Sequence, residues 1–118
     1  MAVHTRLAQQ YESELVALRN TGYEADLRWG EQDAAAIEIP QPGGRILVAD
    51  AVLGGRLADR DRETSGGWKV IACGDFNDDG AVAAEGDTVT TTDADVPSLI
   101  TAVDLLSRAF FPALEVEL

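Results

Sequence analysis

Four residues between positions 75 and 80 have the types and the spacing that could hold a hard cation. Asp75, Asn77 and Asp79 alternate with other residues, and Gly80 follows the last of them. Alternating side chains of this kind can direct three oxygen atoms toward one ion, and a glycine permits the sharp bend that brings them together. The sequence therefore offers a calcium site formed by Asp75, Asn77 and Asp79.

This spacing resembles the start of an EF-hand loop, and it is also similar to the calcium loop between strands in FG-GAP-type propeller repeats. The resemblance covers about a dozen residues and departs from the EF-hand at two ligand positions. The twelfth position, normally a bidentate glutamate, is Gly86, with Glu85 one residue early, and the ninth position is Ala83. No helical pattern precedes Asp75. These departures favour a simple polar turn, with the calcium site as the alternative.

The same region carries the strongest charge imbalance in the chain. Its acidic residues, with no lysine or arginine among them, are Asp75, Asp78, Asp79, Glu85, Asp87, Asp93 and Asp95. Such a run creates a strongly negative field, which is either a solvated surface that favours solubility or a docking face for a basic partner. For the docking interpretation, the predicted partner-binding residues are Asp78, Asp79, Glu85, Asp87 and Asp93.

The formal net charge of −12 over 118 residues narrows the classes of partner. Nucleic acid and anionic membranes are polyanions, so we expect neither to bind this chain directly. A basic protein surface has the complementary charge, and the protein could meet it as a monomer or as a homodimer. The first residues lack the apolar core of a signal peptide and no segment reaches membrane-spanning length, so the expected location is cytoplasmic.

Residue types that perform catalysis are sparse. The chain has one histidine, His4, near the N-terminus, and one cysteine, Cys73, inside a predicted strand. A free cysteine in a strand is most often a small buried apolar residue. The sequence contains no glycine-rich phosphate loop and no Cys/His cluster for zinc. We therefore predict a protein that is not an enzyme and has no cofactor, with a small enzyme of unknown reaction as the second alternative.

The elements that would position these residues begin and end with a helix. Apolar residues recur at three- and four-residue steps from Thr5 to Asn20, which predicts an amphipathic helix, and Gly22 supplies its C-terminal stop. A second helix is predicted from Val96 to Phe110, with Asp95 as its N-cap. Each apolar stripe is expected to pack into the core.

About five segments between the helices have strand patterns. These are residues 23–29, 35–39, 45–53, 68–73 and 88–92. The stretch 40–44 should end the second strand, because proline cannot donate to a ladder. Asp50 interrupts the most apolar run, and we expect it at a strand end or on the exposed face, since a buried acid needs a partner.

Short connections and alternating patterns predict an α+β fold in a single domain spanning residues 1–118. The sheet should be mostly antiparallel, with the order α-β-β-β-β-β-α and both helices over its inner face. The insertion, residues 54–67, has glycines at both ends and interleaved charges, which predicts a mobile surface loop. Its length leaves a partner-binding or lid role as an alternative. The tail, 112–118, is predicted to be an edge strand or a disordered end.

Together these features favour a small acidic cytoplasmic protein-binding protein, such as an adaptor, inhibitor or chaperone, that engages a basic partner surface. The layout is loosely similar to that of small acidic secretion chaperones. This likeness is one of architecture and has no sequence motif behind it.

Overall fold

The computed structural model describes residues 2–30, 34–41, 44–53, 55–74 and 88–110. Within these ranges the chain forms three helices and five strands. The helices are α1 (Ala2–Gln10), α2 (Glu12–Asn20) and α3 (Val96–Phe110). The strands are β1 (Asp26–Trp29), β2 (Ala35–Gln41), β3 (Gly44–Asp50), β4 (Trp68–Gly74) and β5 (Thr88–Thr90). The predicted α+β class, with helices at both ends of the order, is confirmed.

The five strands form one antiparallel sheet in the order β1-β2-β3-β4-β5, so each strand pairs with its neighbour in sequence. Ile37, Val48, Val70 and Val89 stand in register across four of the strands. Side chains along a strand point alternately to the two faces of a sheet. The apolar side chains in this register therefore share one face, and they pack into the hydrophobic core.

All three helices cover that face. The buried helical residues of the core are Leu7, Tyr11, Leu15, Leu18, Leu99, Ala102, Val103 and Leu106. Trp68, at the start of β4, belongs to the same core, and its ring meets that of Tyr11 edge-on at 6.2 Å between centroids. The predicted stripes of both helical regions thus pack into the core. Burial of large apolar side chains on one side of a sheet is the main stabilising term of such a layout.

The predicted single helix from Thr5 to Asn20 is wrong at one residue. Tyr11 separates α1 from α2, with φ −109° and ψ 14°, outside the usual helical values. Its N–H still donates to the Leu7 carbonyl, and its carbonyl accepts from Leu15, so the helical hydrogen bonds continue across the break. The Tyr11 hydroxyl donates a 2.6 Å hydrogen bond to the Ala58 carbonyl. That tertiary contact has no counterpart in the local sequence pattern.

Several strand ends also differ from the prediction. The second strand does not stop before Pro40 but runs through it, with Pro40 opposite Arg45 in β3. Pairing with β1 reaches only to Glu38, so beyond that residue β2 has a strand on one side alone. Proline is tolerated at such places because one side has no ladder to break. The third strand ends at Asp50 rather than at position 53.

Candidate functional site

The predicted cation site lies outside the described residues. Asp75, Asn77 and Asp79 all fall within 75–87, so the calcium hypothesis stays a prediction. In the part of the chain that the structure describes, no group of three or more His, Cys, Asp or Glu residues could hold a metal ion. Within the same ranges, no helix has the length and apolar character needed to cross a membrane.

Of the predicted partner-binding residues, only Asp93 is described. The other four, Asp78, Asp79, Glu85 and Asp87, fall within 75–87. Asp93 is exposed in the connection from β5 to α3, and its backbone carbonyl accepts a 2.8 Å hydrogen bond from the Thr91 hydroxyl. The Asp93 carboxylate is thus left at the surface beside the start of α3.

Asp95 lies at the start of α3 and acts as the predicted N-cap. Its Oδ1 accepts a 3.0 Å hydrogen bond from the Ser98 N–H. Hydrogen bonding by Ser98 lowers the pKa of Asp95 below its ordinary value. The negative charge is also favoured there by the partial positive charge of the helix N-terminus. Asp95 therefore stays ionised at neutral pH, and its side chain is exposed.

The described ion pairs are confined to the first 63 residues of the chain. They are Arg6 with Asp59 and Asp61, Arg19 with Asp26, Arg28 and Arg45 with Glu38, Arg56 with Glu63, and Arg60 with Glu14. From residue 70 to residue 107 the sequence has eight acids and no base. Within the described ranges, Asp93 and Asp95 have no cation at ion-pair distance. No described ion pair therefore neutralises the acids of the β5–α3 connection, and the described part also contains Lys69 in β4, which stands opposite Thr90.

The insertion contacts the N-terminal helices and the sheet through Leu57, Ala58 and the residues that follow them. Leu57 and Ala58 are buried, and the Leu57 N–H donates a 2.7 Å hydrogen bond to the Ala35 carbonyl in β2. Of its interleaved charges, Arg56 and Glu63 pair within the insertion, whereas Asp59 and Arg60 pair with residues of α1 and α2. The predicted mobility of this segment and its lid role stay predictions.

Arg60 joins the insertion to the N-terminal helices. Its guanidinium donates to the Glu14 carboxylate at 2.8 Å and to the Gln10 carbonyl at 2.7 Å. The same group lies 4.0 Å from the centroid of the Tyr11 ring and 5.8 Å from that of Trp68, within reach of a cation–π interaction. Glu14 is only 4% exposed, and removal of Arg60 would leave a buried acid without this ion pair. This arrangement has the features of a structural anchor.

Burial has the largest effect on the pKa of the Tyr11 hydroxyl, which belongs to the same cluster. It raises the pKa of Tyr11 to about 12, although the neighbouring charge of Arg60 acts in the opposite direction. The hydroxyl therefore stays protonated at neutral pH and remains the donor to Ala58. A phenol held in this way is not poised to act as a base.

Asp50, at the end of β3, joins the residues just before the insertion to the C-terminal end of the insertion. Its Oδ1 accepts hydrogen bonds of 2.9 Å from the Ser65 hydroxyl and of 2.9 Å from the Gly66 N–H. Its Oδ2 accepts from the N–H groups of Val52 at 2.9 Å and Leu53 at 3.2 Å. Burial acts to raise the pKa of Asp50, but these four hydrogen bonds outweigh it, so the pKa lies below its ordinary value. The strand-end position was predicted, and the buried side chain has the partners that burial requires.

Sequence reasoning missed Glu14 and Arg60 as a connected pair. Glu14 falls three residues after Tyr11 and four before Leu18, which places it on the apolar stripe of the helix. That position signals a buried acid, but nothing local identifies its partner 46 residues away. Cys73 is buried, in agreement with the prediction, and the His4 side chain lies outside the described part.

A groove of about 300 Å³ lies between β5 and α3, on the face of the sheet that the helices cover. It is lined by Val89, Thr91, Pro97, Ser98, Thr101, Ala102 and Leu105. The lining is mainly apolar, and Leu105 is 57% exposed although its side chain is large. The Trp68 indole N–H donates a 2.8 Å hydrogen bond to the Asp95 carbonyl, which holds the start of α3 against β4. Leu105, further along α3, stays exposed at the side of the helix that faces the groove.

Comparisons of this chain with protein-family models, with curated proteins and with solved structures found no match.

Proposed function

We propose that this protein is a non-enzymatic cytoplasmic binding protein, of the adaptor, inhibitor or chaperone kind, that engages a basic protein surface through its acidic second half. The observation that carries the proposal is the segregation of charge. The described arginine pairs involve acids of the first 63 residues, whereas Asp93 and Asp95 are exposed with no cation at ion-pair distance in the described ranges.

Surface charges of one sign repel one another and destabilise the folded state unless they are solvated or meet a partner of opposite charge. In a complex, complementary potentials mainly raise the association rate and suppress wrong partners. Both effects weaken as salt is added, because the Debye length is about 10 Å at 0.1 M and shorter at higher ionic strength. A basic partner should therefore bind with an affinity that falls steeply with salt.

The test begins with capture of partners from the native host, followed by affinity measurements on the purified partner at several salt concentrations. The variant neutralises the acidic stretch by Asp78→Asn, Asp79→Asn, Glu85→Gln and Asp87→Asn. We expect weaker binding and a flatter salt dependence, because fewer charges face the partner.

The matched control makes the same charge change in the first half of the chain, by Glu12→Gln, Glu24→Gln, Glu31→Gln and Asp33→Asn. Only the variant in the second half should lose affinity. Equal affinities of the two variants and the wild-type protein would refute the proposal.

A further inference from the structure

In the described part of the chain, β5 is the last strand of the sheet, and some of its backbone groups point away from β4. The Thr91 N–H donates to the Trp68 carbonyl at 2.9 Å, so this group points toward β4. N–H groups along a strand point alternately to its two sides. Those of Thr88 and Thr90 therefore point away from β4, where no described strand pairs with them. An unpaired row of this kind is a template for another extended chain.

The groove lies where the side chains of such an added strand would fall. Val89 faces the core side of the sheet, opposite Val70, and it forms one wall of the groove. Every second side chain of a strand added beside β5 would point to that same side, toward Pro97 and Leu105 on α3. Those positions favour apolar side chains, because the lining is mainly apolar and Leu105 is largely uncovered.

The charge around this edge selects the kind of chain that could occupy it. Asp93 and Asp95 lie at the end of the groove where α3 begins, with no described cation at ion-pair distance, whereas Lys69 in β4 stands opposite Thr90. A second copy of a chain with a net charge of −12 would bring like charges together, which is unfavourable. A basic segment of another protein has the complementary charge.

We propose that the β5 edge and the α3 groove together receive an extended segment of a basic partner, in which apolar residues alternate with lysine or arginine. The segment adds a sixth strand to the sheet through backbone hydrogen bonds with Thr88 and Thr90. Its apolar side chains enter the groove, and a basic residue reaches Asp93 and Asp95. This inference rests on the proposed function and specifies where the partner docks.

The test uses a labelled peptide of alternating valine and lysine, with fluorescence anisotropy as the measurement and amide chemical shifts to locate the contact. Thr90→Pro removes an N–H that points outward, so it should spare the pairing with β4. Its control is Thr90→Val, which changes the side chain and keeps the N–H. We expect Thr90→Pro to weaken binding by about fivefold to tenfold, the effect of losing one hydrogen bond, and Thr90→Val to leave it unchanged.

A second pair of variants tests the groove. Leu105→Ser removes an exposed apolar side chain, and Val52→Ser is its control, because Val52 is 73% exposed on a different part of the surface. We expect about a tenfold loss of peptide affinity for Leu105→Ser and none for Val52→Ser. Thermal melts of all four variants establish that each one is folded.

Several results would overturn the inference. They are absence of peptide binding to the wild-type protein, equal binding by Thr90→Pro and Thr90→Val, binding that appears only after residues 112–118 are deleted, and a dimer that Thr90→Pro dissociates. A captured partner that is insensitive to Thr90→Pro and Leu105→Ser but sensitive to neutralisation of the acidic stretch would refute this docking site alone. Insensitivity to that neutralisation would refute the proposed function itself.

Discussion

Asp50→Asn is the substitution that most directly tests how the insertion is held. The side chain of Asp50 is 1% exposed, and each of its oxygens accepts two hydrogen bonds, one oxygen from residues just before the insertion and the other from its C-terminal end. Asparagine has nearly the same shape, but it replaces one acceptor oxygen by an NH₂ group that donates. Whichever way the amide turns, at least one backbone N–H that now has an acceptor meets a donor.

The expected loss follows from the number of groups left without a partner. A buried donor without an acceptor costs about 1–3 kcal/mol, and hydrogen bonds to a charged group are stronger than neutral ones. If Val52 and Leu53 lose their acceptor, part of the cost is relieved by water, because Val52 is exposed. We therefore expect Asp50→Asn to lower the free energy of unfolding by about 2–3 kcal/mol at neutral pH.

The pH dependence of the free energy of unfolding distinguishes loss of the Asp50 charge from a purely steric effect, which would not change with pH. The pKa of Asp50 is lowered in the folded state, so its charge contributes stability above the ordinary aspartate pKa. That contribution is lost as the pH falls through the lowered folded-state pKa. Urea unfolding of the wild-type protein and of Asp50→Asn, followed between pH 7 and pH 3, should therefore show the two free energies converging at the acid end.

Ser65→Ala serves as the control for Asp50→Asn. It removes one neutral donor from the same carboxylate and should cost about 1 kcal/mol. A difference between wild type and Asp50→Asn that does not depend on pH, or that grows toward acid, would refute the assignment of the stabilisation to the ionised carboxylate. A cost no larger than that of Ser65→Ala would also contradict it.

Three further predictions concern the backbone, the core and the acidic loop. Gly67→Ala should lower the free energy of unfolding by more than Gly22→Ala. The two glycines have similar positive φ values, +107° for Gly67 and +109° for Gly22. A Cβ at Gly67 would lie 2.1 Å from the Thr91 carbonyl oxygen, whereas a Cβ at Gly22 would meet nothing within 4 Å. The Gly22 variant should show the backbone strain alone, about 1–3 kcal/mol, and equal denaturation midpoints would contradict the close approach. Leu15→Ala should cost about 2–5 kcal/mol, and an unchanged thermal melt would show that this side chain is not core. If the 75–80 loop binds calcium, calorimetry with millimolar calcium should show heat of binding and a higher Tm, and the absence of both removes that alternative.

Much of the fold could be predicted because its signals are local. The sequence alternates between apolar and polar residues over positions 23–29. In the structure, buried or half-buried residues alternate with exposed ones over the same positions, which cover β1 and the residues before it. Helix α3 has the predicted bounds, since Asp95 caps its first turn and apolar residues recur on one side. Short connections between alternating segments suffice to predict an antiparallel sheet, because such links join neighbouring strands.

The buried polar contacts could not be predicted in the same way. Glu14 stands on an apolar stripe, but its arginine lies far along the chain and reaches it only when the insertion packs on α2. Asp50 needed donors from both sides of residues 54–64, and Tyr11 needed the Ala58 carbonyl. Each depends on two segments meeting, and a periodicity in one of them carries no information about the other.

The sequence by itself determined the α+β class, the cap of α3 and the excess of acids in the second half, because each depends on residues close together in the chain or on composition. Only the tertiary structure decided where that charge stays uncompensated. In the described ranges it places the paired arginines beside acids of the first 63 residues and leaves Asp93 and Asp95 exposed in the connection from β5, the last described strand of the sheet, to α3. The reason is physical: ion pairs form between groups that folding brings within a few ångströms, whatever their separation in sequence.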